Sequence, residues 1–288
     1  MELVGKKILV TGGSGFIGSS LVSTLEGTNF VTSLDLVDPQ KESVDFDFVK
    51  GHAKDIFEIF ADQSFDIVYH LGEYSRVEQS LSEFHKVLSQ NTRSISQVIK
   101  YCCDRNAKLV YSGSSTKFYN SGEGRFLSPY TLSKACNADL VKGAGQWANL
   151  NHAIVYFYNV YGKGERDGHY GTIIEKLIQH HANESVASIT YPGTQTRNFT
   201  HINDTVRALI KVGAKGDGDD YKIGCRNAYS ILEAVQHLGV TYEMQEGNDA
   251  NRLSSDLGFT RMEELGWSTE MDLMEYLSSR MSENGLGR

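Results

Sequence analysis

The chain has 288 residues, enough at about 150 residues per domain for two domains or for one large domain with an appended lobe. Its 28 Lys and Arg against 36 Asp and Glu leave a net charge of −8, which gives no cationic field to collect a nucleic-acid backbone; 40% apolar and 22% charged residues mark a chain that folds. No run approaches the roughly 20 apolar residues of a membrane span, nothing after Met1 reads as a secretory leader, and Cys102, Cys103, Cys136 and Cys225 show no C-x-x-C pair or regular disulfide spacing, so a cytoplasmic protein with reduced thiols and no metal site is expected.

Ile8-Leu9-Val10-Thr11 predicts a strand, and Ile17, Leu21 and Leu25 at i, i+4 and i+8 predict the helix after it. Further strands are predicted at Phe30 to Leu34, Phe46 to Val49, Asp66 to Leu71, Lys108 to Ser112 and Ala153 to Tyr158. Between them, Ile95, Val98, Ile99 and Cys102 mark one face of a helix. Near-continuous apolar strands separated by helices imply a doubly wound α/β domain, because parallel strands need crossover helices and those helices hide both faces of the sheet. After Tyr158 the rhythm loosens through the Gly-rich, charged stretch from Gly162 to Gly171. A helix at Ile173 to His181, a strand at Ser188 to Tyr191, and helices at Asp204 to Gly213 and Glu270 to Met281 are expected to build a smaller lobe interleaved with the first domain.

The segment Thr11-Gly12-Gly13-Ser14-Gly15-Phe16-Ile17-Gly18 falls where the first strand ends and the first helix begins. Gly12 permits a tight turn, Gly15 lets the backbone approach a pyrophosphate, Gly18 lets helix and strand pack closely, and the helix start offers free N–H donors to phosphate. Asp35 ends the second strand about 20 residues on, where a carboxylate accepts hydrogen bonds from an adenosine ribose and repels a 2′-phosphate; NAD is therefore expected over NADP. Turn punctuation by the glycines, a turn shared by Asp35 and Asp38, and a plain helix cap at Asp55 are the structural alternatives.

Pro129 precedes Tyr130-Thr131-Leu132-Ser133-Lys134 and is placed to open a helix on which Tyr130 and Lys134, at i and i+4, share a face. An ammonium so placed favours a phenolate, which makes Tyr130 a candidate general base. The cluster Ser112-Gly113-Ser114-Ser115-Thr116 stands at the C-terminal end of the fifth strand, the edge where open α/β sheets bind ligands, and supplies a hydroxyl for the reacting oxygen, Ser115 first and Ser114 second.

With these motifs the chain resembles the extended short-chain dehydrogenases/reductases, and within them the nucleotide-sugar epimerases and dehydratases, UDP-glucose 4-epimerase among them. The resemblance runs over nearly the whole chain and includes His70-Leu71-Gly72, Asn91, Tyr158-Asn159-Val160-Tyr161-Gly162, Arg197-Asn198-Phe199-Thr200-His201-Ile202-Asn203-Asp204, Asn251-Arg252 and Leu265-Gly266-Trp267. It implies a Rossmann-type NAD-binding domain over residues 1–158, to which about 199–222 also belongs, and an interleaved C-terminal α/β substrate-binding lobe over 159–288. Cofactor contacts are implied for Gly12, Gly15, Phe16, Ile17, Gly18, Asp35, Leu71, Gly72, Asn91, Ser114, Tyr130 and Lys134. Asn159, Arg197 and Arg252 are implied to hold the nucleotide diphosphate of the substrate, a role that suits a guanidinium fork. A homodimer packed through the helices near Ile95 to Cys102 and Cys136 to Trp147 is also implied.

The chain departs from the family pattern in four places. Glu73, Tyr74 and Arg76 follow Gly72 where small residues are usual, so Glu73 and Tyr74 are expected to face the nicotinamide or the sugar. His52-Ala53 stands where an acidic residue commonly approaches the adenine. The interval from Ser115 to Tyr130 is short. Thr116 and Lys117 replace the Asp-Glu pair with which 4,6-dehydratases expel water, which disfavours dehydration. His70, His201, His180 and His181 read as structural, the last two satisfying helix-terminal carbonyls, and Cys102-Cys103 as packing.

The resemblance thus implies a 4-epimerase of a UDP-hexose: Tyr130 takes the proton of the 4-hydroxyl while C4 gives hydride to NAD, Ser115 binds the oxygen, Lys134 orients the cofactor ribose, and the 4-keto sugar turns and takes the hydride back. Its rivals are an NDP-sugar reductase or dehydrogenase with net cofactor turnover and a non-catalytic NAD-sensing protein.

Overall fold

The computed structural model describes residues 3–40, 46–165, 171–246 and 258–285. In chain order the strands are β1 (Lys7–Thr11), β2 (Phe30–Asp35), β3 (Phe46–Lys50), β4 (Ile67–His70), β5 (Lys108–Ser114), β6 (His152–Phe157), β7 (Asn159–Tyr161), β8 (Ala187–Thr190), β9 (Thr196–His201), β10 (Gly218–Ile223), β11 (Ala228–Ser230) and β12 (Tyr242–Gln245). The helices are α1 (Phe16–Leu25), α2 (Ile56–Ile59), α3 (Val77–Ser82), α4 (Phe84–Arg105), α5 (Pro129–Trp147), α6 (Ile173–Ala182), α7 (Ile202–Lys215), α8 (Ile231–Leu238), α9 (Thr260–Glu264) and α10 (Leu273–Gly285).

Seven strands form one sheet in the order β10-β6-β5-β4-β1-β2-β3, and every neighbouring pair in it is parallel. This is a Rossmann-type fold: the order reverses between β1 and β4, and helices cover both faces. The alternation of strand side chains divides the core. Ile8 and Val10 point to the side of α1 and α7, where they pack with Leu21, Leu25, Val206 and Leu209. Leu9, between them, points to the side of α4 and α5, with Ile95, Val98 and Val141. All three β1 residues are fully buried, which is why this strand reads as an unbroken apolar run in the sequence.

A second core joins β7 and β9 to α6, α8 and α10 through Tyr161, Leu177, Phe199, Val235 and Leu277. Its sheets are small: β11-β9-β7 and β12-β8. Strands β7, β9, β10, β11 and β12 carry no clear two-residue alternation in sequence, and they were not expected. The edge strand β10 is Gly-Asp-Asp-Tyr-Lys-Ile, with Tyr221 and Ile223 buried and polar residues elsewhere, so its place in the main sheet comes from pairing with β6. Among the described residues no helix is long and apolar enough to cross a membrane, no group of acidic, His and Cys side chains could hold a metal ion, and all four cysteines are free thiols.

Candidate active site

A cleft of about 770 Å³ opens along the C-terminal ends of the parallel strands, at the reversal point between β1 and β4. Its floor is the glycine loop. Gly12 has φ +75°, a left-handed conformation, and a Cβ there would lie 2.6 Å from the Gly72 nitrogen; one on Gly18 would lie 2.0 Å from the Gly12 carbonyl. The glycines therefore bring three backbone segments together, as a loop shaped around a ligand backbone requires. Gly15 caps α1 with no side-chain hydrogen bond, and no acidic residue stands in the helix's first turn, so nothing competes with an anion for the first amides. Asp35 lies at the adjacent strand end, its carboxylate accepting hydrogen bonds from the Ser14 N–H (2.9 Å) and the Val37 N–H (3.1 Å). Gly12, Gly15, Phe16, Ile17, Gly18, Asp35, Leu71, Gly72 and Ser114 all line the cleft. The shape and donor set fit a dinucleotide with free ribose hydroxyls.

Pro129 is the first residue of α5, and Ser128 and Thr131 form a capping box: the Ser128 Oγ accepts from the Thr131 N–H (3.2 Å) and the Thr131 Oγ1 from the Ser128 N–H (2.9 Å). This anchors the turn that carries Tyr130 into the cleft, with Lys134 one turn on and also lining it. Ser115 follows β5 directly and lines the same wall, while the Ser114 Oγ pairs with the Thr116 Oγ1 at 2.9 Å. Lys117 points away, donating to Asp139 (2.8 Å) and the Tyr156 hydroxyl (3.2 Å).

Lys134 is buried. Its ammonium donates to the Ser112 carbonyl (2.7 Å), stands 3.3 Å from the Ser112 Oγ, and pairs with Glu73 at 2.7 Å. Glu73 follows β4 through a tight turn, its N–H donating to the Leu71 carbonyl at 3.0 Å. Its backbone reaches the cleft edge, but its carboxylate has 0% exposure, so it does not face a sugar as the sequence suggested. Burial pushes this carboxyl up, and the Lys134 ammonium, with His70, outweighs burial and holds it well below the usual carboxylate range.

Tyr74 lines the cleft, and its hydroxyl donates to Glu83 at 2.8 Å. Asn91 is fully buried behind it and is not a lining residue: its Oδ1 accepts from the Tyr74 N–H (2.8 Å), and its Nδ2 donates to the Ser133 Oγ (3.0 Å). Asn159 lines the far wall. Arg197 is not in the lining, although it shares a face of β9 with Phe199, which is; its Nη1 donates to the Thr196 carbonyl at 2.9 Å. Asn251 and Arg252 lie outside the described residues. His52 lines the cleft and caps a short turn, its Nδ1 accepting from the Lys54 N–H at 3.2 Å. His70 is buried against the Thr11 hydroxyl at 2.7 Å.

The sequence reading did not single out Glu165, Thr172, Ile173, Ile174 or Phe199, which form the lobe side of the cleft. Phe199 falls in the Arg197 to Asp204 motif and Ile173 opens a predicted helix, but no local pattern marks any of the five as a cleft residue, and only folding brings them opposite the sheet edge. Glu165 is the one of them that ionises. Its carboxylate accepts from the N–H groups of Gly162 and Thr172, both at 3.1 Å, and burial raises its pKa.

The model of the NAD dependent epimerase/dehydratase family matches residues 8–224. An uncharacterised UDP-glucose epimerase of Bacillus subtilis is 26% identical over 257 residues, 80% of each chain. A dTDP-D-glucose 4,6-dehydratase of Dictyostelium discoideum is 27% identical over 273 residues, 82% of this chain and 62% of that one. Among solved structures, UDP-glucose 4-epimerase of Thermotoga maritima with UDP-glucose superposes with a TM-score of 0.87 at 22% identity, covering 96% of this chain and 97% of that one.

Proposed function

This chain belongs to the NAD dependent epimerase/dehydratase family, and from that premise we propose that it is a 4-epimerase of a nucleotide-diphosphate hexose, with UDP as the favoured nucleotide. The observation that carries this reading is the pairing of Tyr130 and Lys134 on the first turns of α5, facing the glycine-loop cleft beside Ser115. The cofactor is NAD. It would be held by the α1 amides, Asp35 and the strand ends, and when bound it supplies a reversible hydride acceptor beside the sugar.

Tyr130 removes the proton of the sugar 4-hydroxyl and later returns it. Ser115 donates a hydrogen bond to the same oxygen as it becomes a carbonyl. Lys134, one helical turn on from Tyr130, lines the cleft with Asn159 and Tyr74, where the sugar nucleotide would lie. Arg197 and Arg252 are assigned to the diphosphate on the family resemblance.

Epimerisation is favoured over dehydration because the two positions after Ser115 hold no acid–base pair: Thr116 is bonded to Ser114, and Lys117 to Asp139 and Tyr156. Glu165, the carboxylic group on the lobe side, is engaged by two backbone amides.

The test is incubation of the purified protein with a panel of NDP-hexoses, with NMR used to follow configuration at C4. Inversion without net NADH is expected, and Tyr130→Phe lowers its rate by about 10²-fold or more. Stoichiometric NADH formation or consumption without inversion would instead identify a dehydrogenase or reductase, and a 4-keto-6-deoxy product a dehydratase. Unchanged turnover in Tyr130→Phe would remove the assigned base.

A further inference from the structure

A buried polar network surrounds the carboxylate of Glu73 behind the cleft. Its Oε2 takes the Lys134 ammonium at 2.7 Å and the Tyr111 hydroxyl at 2.9 Å. Its Oε1 takes the Asn137 amide at 2.9 Å, and the His70 Nε2 stands 3.6 Å away, beyond hydrogen-bond range. These partners come from α5, β5 and β4. The charged and titratable groups facing the carboxylate are thus Lys134, Tyr111 and His70, with Tyr130 in electrostatic reach of Tyr111; Asn137, which also donates to the Asn91 carbonyl of α4, is neutral.

An ammonium has three protons to donate. Glu73, the Ser112 carbonyl and the Ser112 hydroxyl offer three acceptors, so protein groups alone account for its donors. A carboxylate this close also cancels most of the field that the ammonium would cast on a neighbouring phenol, since the pair acts at a distance as a dipole rather than a charge.

We propose that Glu73 is a positioning residue: it fixes Lys134 at the ends of β4 and β5 and opposes its charge, so that less of the lysine's field reaches Tyr130. A bound oxidised nicotinamide would supply further positive charge near the phenol, which would tie the activation of Tyr130 to a loaded cleft. This rests on Tyr130 being the base of the proposed reaction.

The experiment is a pH titration of tyrosinate absorbance on the full chain, before and after addition of NAD. The contribution of Tyr130 is taken as the difference between each protein and the same protein carrying Tyr130→Phe. Without NAD, Glu73→Gln is expected to move the Tyr130 midpoint to lower pH by about one unit, because the lysine's charge is no longer opposed. The acid limb of kcat/KM moves the same way. NAD is expected to lower the midpoint in both proteins and to leave that of Glu73→Gln below that of the wild type.

A Tyr130 contribution identical in the two proteins, or absent from both, overturns the proposal. A purely structural Glu73 would alter the melting temperature and leave that midpoint in place. Should Glu73→Gln fail to fold, the paired change Glu73→Gln/Lys134→Met is expected to fold, since breaking one side of a buried ion pair costs far more than removing both. An insoluble double variant beside a soluble Lys134→Met would show that Glu73 serves β4 rather than Lys134, and would equally overturn the proposal. The titration needs no sugar, so absence of C4 inversion in the wild type, the failure of the epimerase reading, is a separate result.

Discussion

At the residue scale the site is governed by what cannot be added and what must be paired. Gly18 has no room for a methyl group, since its Cβ would meet the Gly12 carbonyl at 2.0 Å and that carbonyl belongs to backbone that cannot swing aside. Gly18→Ala is expected to push α1 away from the loop, costing about 1–3 kcal/mol. Isothermal titration should show weakened NAD binding together with the fall in melting temperature; unaltered NAD affinity would mean that α1 does not hold the cofactor. Glu73 shows the opposite constraint. A carboxylate without exposure persists beside Gly72 because Lys134, Tyr111 and Asn137 satisfy it from two different elements. Proximity in sequence to His70-Leu71-Gly72 suggested a residue facing the ligand, but the turn after β4 aims its side chain inward.

At the element scale α5 does most to place the proposed chemistry. Its start is legible: Pro129 at the first position, Ser128 before it, and Tyr130 and Lys134 on one face. Because Tyr130 sits in the capped turn, the cap and the proposed base are mechanically linked. Ser128→Ala removes the acceptor for the Thr131 N–H and is expected to cost about 1 kcal/mol. The measurement is thermal unfolding beside steady-state kinetics, with the melting temperature falling and kcat falling more than KM rises. A lowered melting temperature with kcat intact would show that Tyr130 is held by its packing, not by its cap. Other helices extend beyond their apolar signal. The pattern at Ile95 to Cys102 marks only part of α4, whose remaining turns begin at Phe84 and end at Asn106 in a left-handed cap. Apart from Phe84, Val87 and Leu88 the earlier turns are polar, with only Val87 of those three buried, and tertiary packing makes them helical.

At the scale of the whole molecule, the strand order gathers Thr11, Asp35, Leu71, Ser112 and Phe157, far apart in sequence, along one rim, and the lobe lays Glu165, Thr172 and Phe199 across from them. The outer surface carries a further expectation. Leu81, Phe84 and Leu88 are exposed along α3 and α4, as is Trp147 at the end of α5, and these are the two long helices for which the family resemblance implies a dimer contact. Light scattering is expected to give twice the 32.0 kDa mass of one chain. A monomeric mass would reject the dimer and leave that apolar surface bare in solution.

The sequence by itself determined the local features. Period-two and period-3.6 burial, the glycines demanded by close backbone approach, and the proline and serine that start α5 are readable because each depends on neighbours within a few residues. It likewise brought out Ser115, Tyr130 and Lys134, whose chemistry and spacing form a local pattern. Only the tertiary structure decided that β10 joins the main sheet beside β6, that Glu165 and Phe199 reach the cleft, that Asn91 stands behind it, and that Glu73 turns inward to Lys134. Those placements depend on contacts between segments far apart in sequence, and no short-range periodicity encodes which distant partner will satisfy a buried charge.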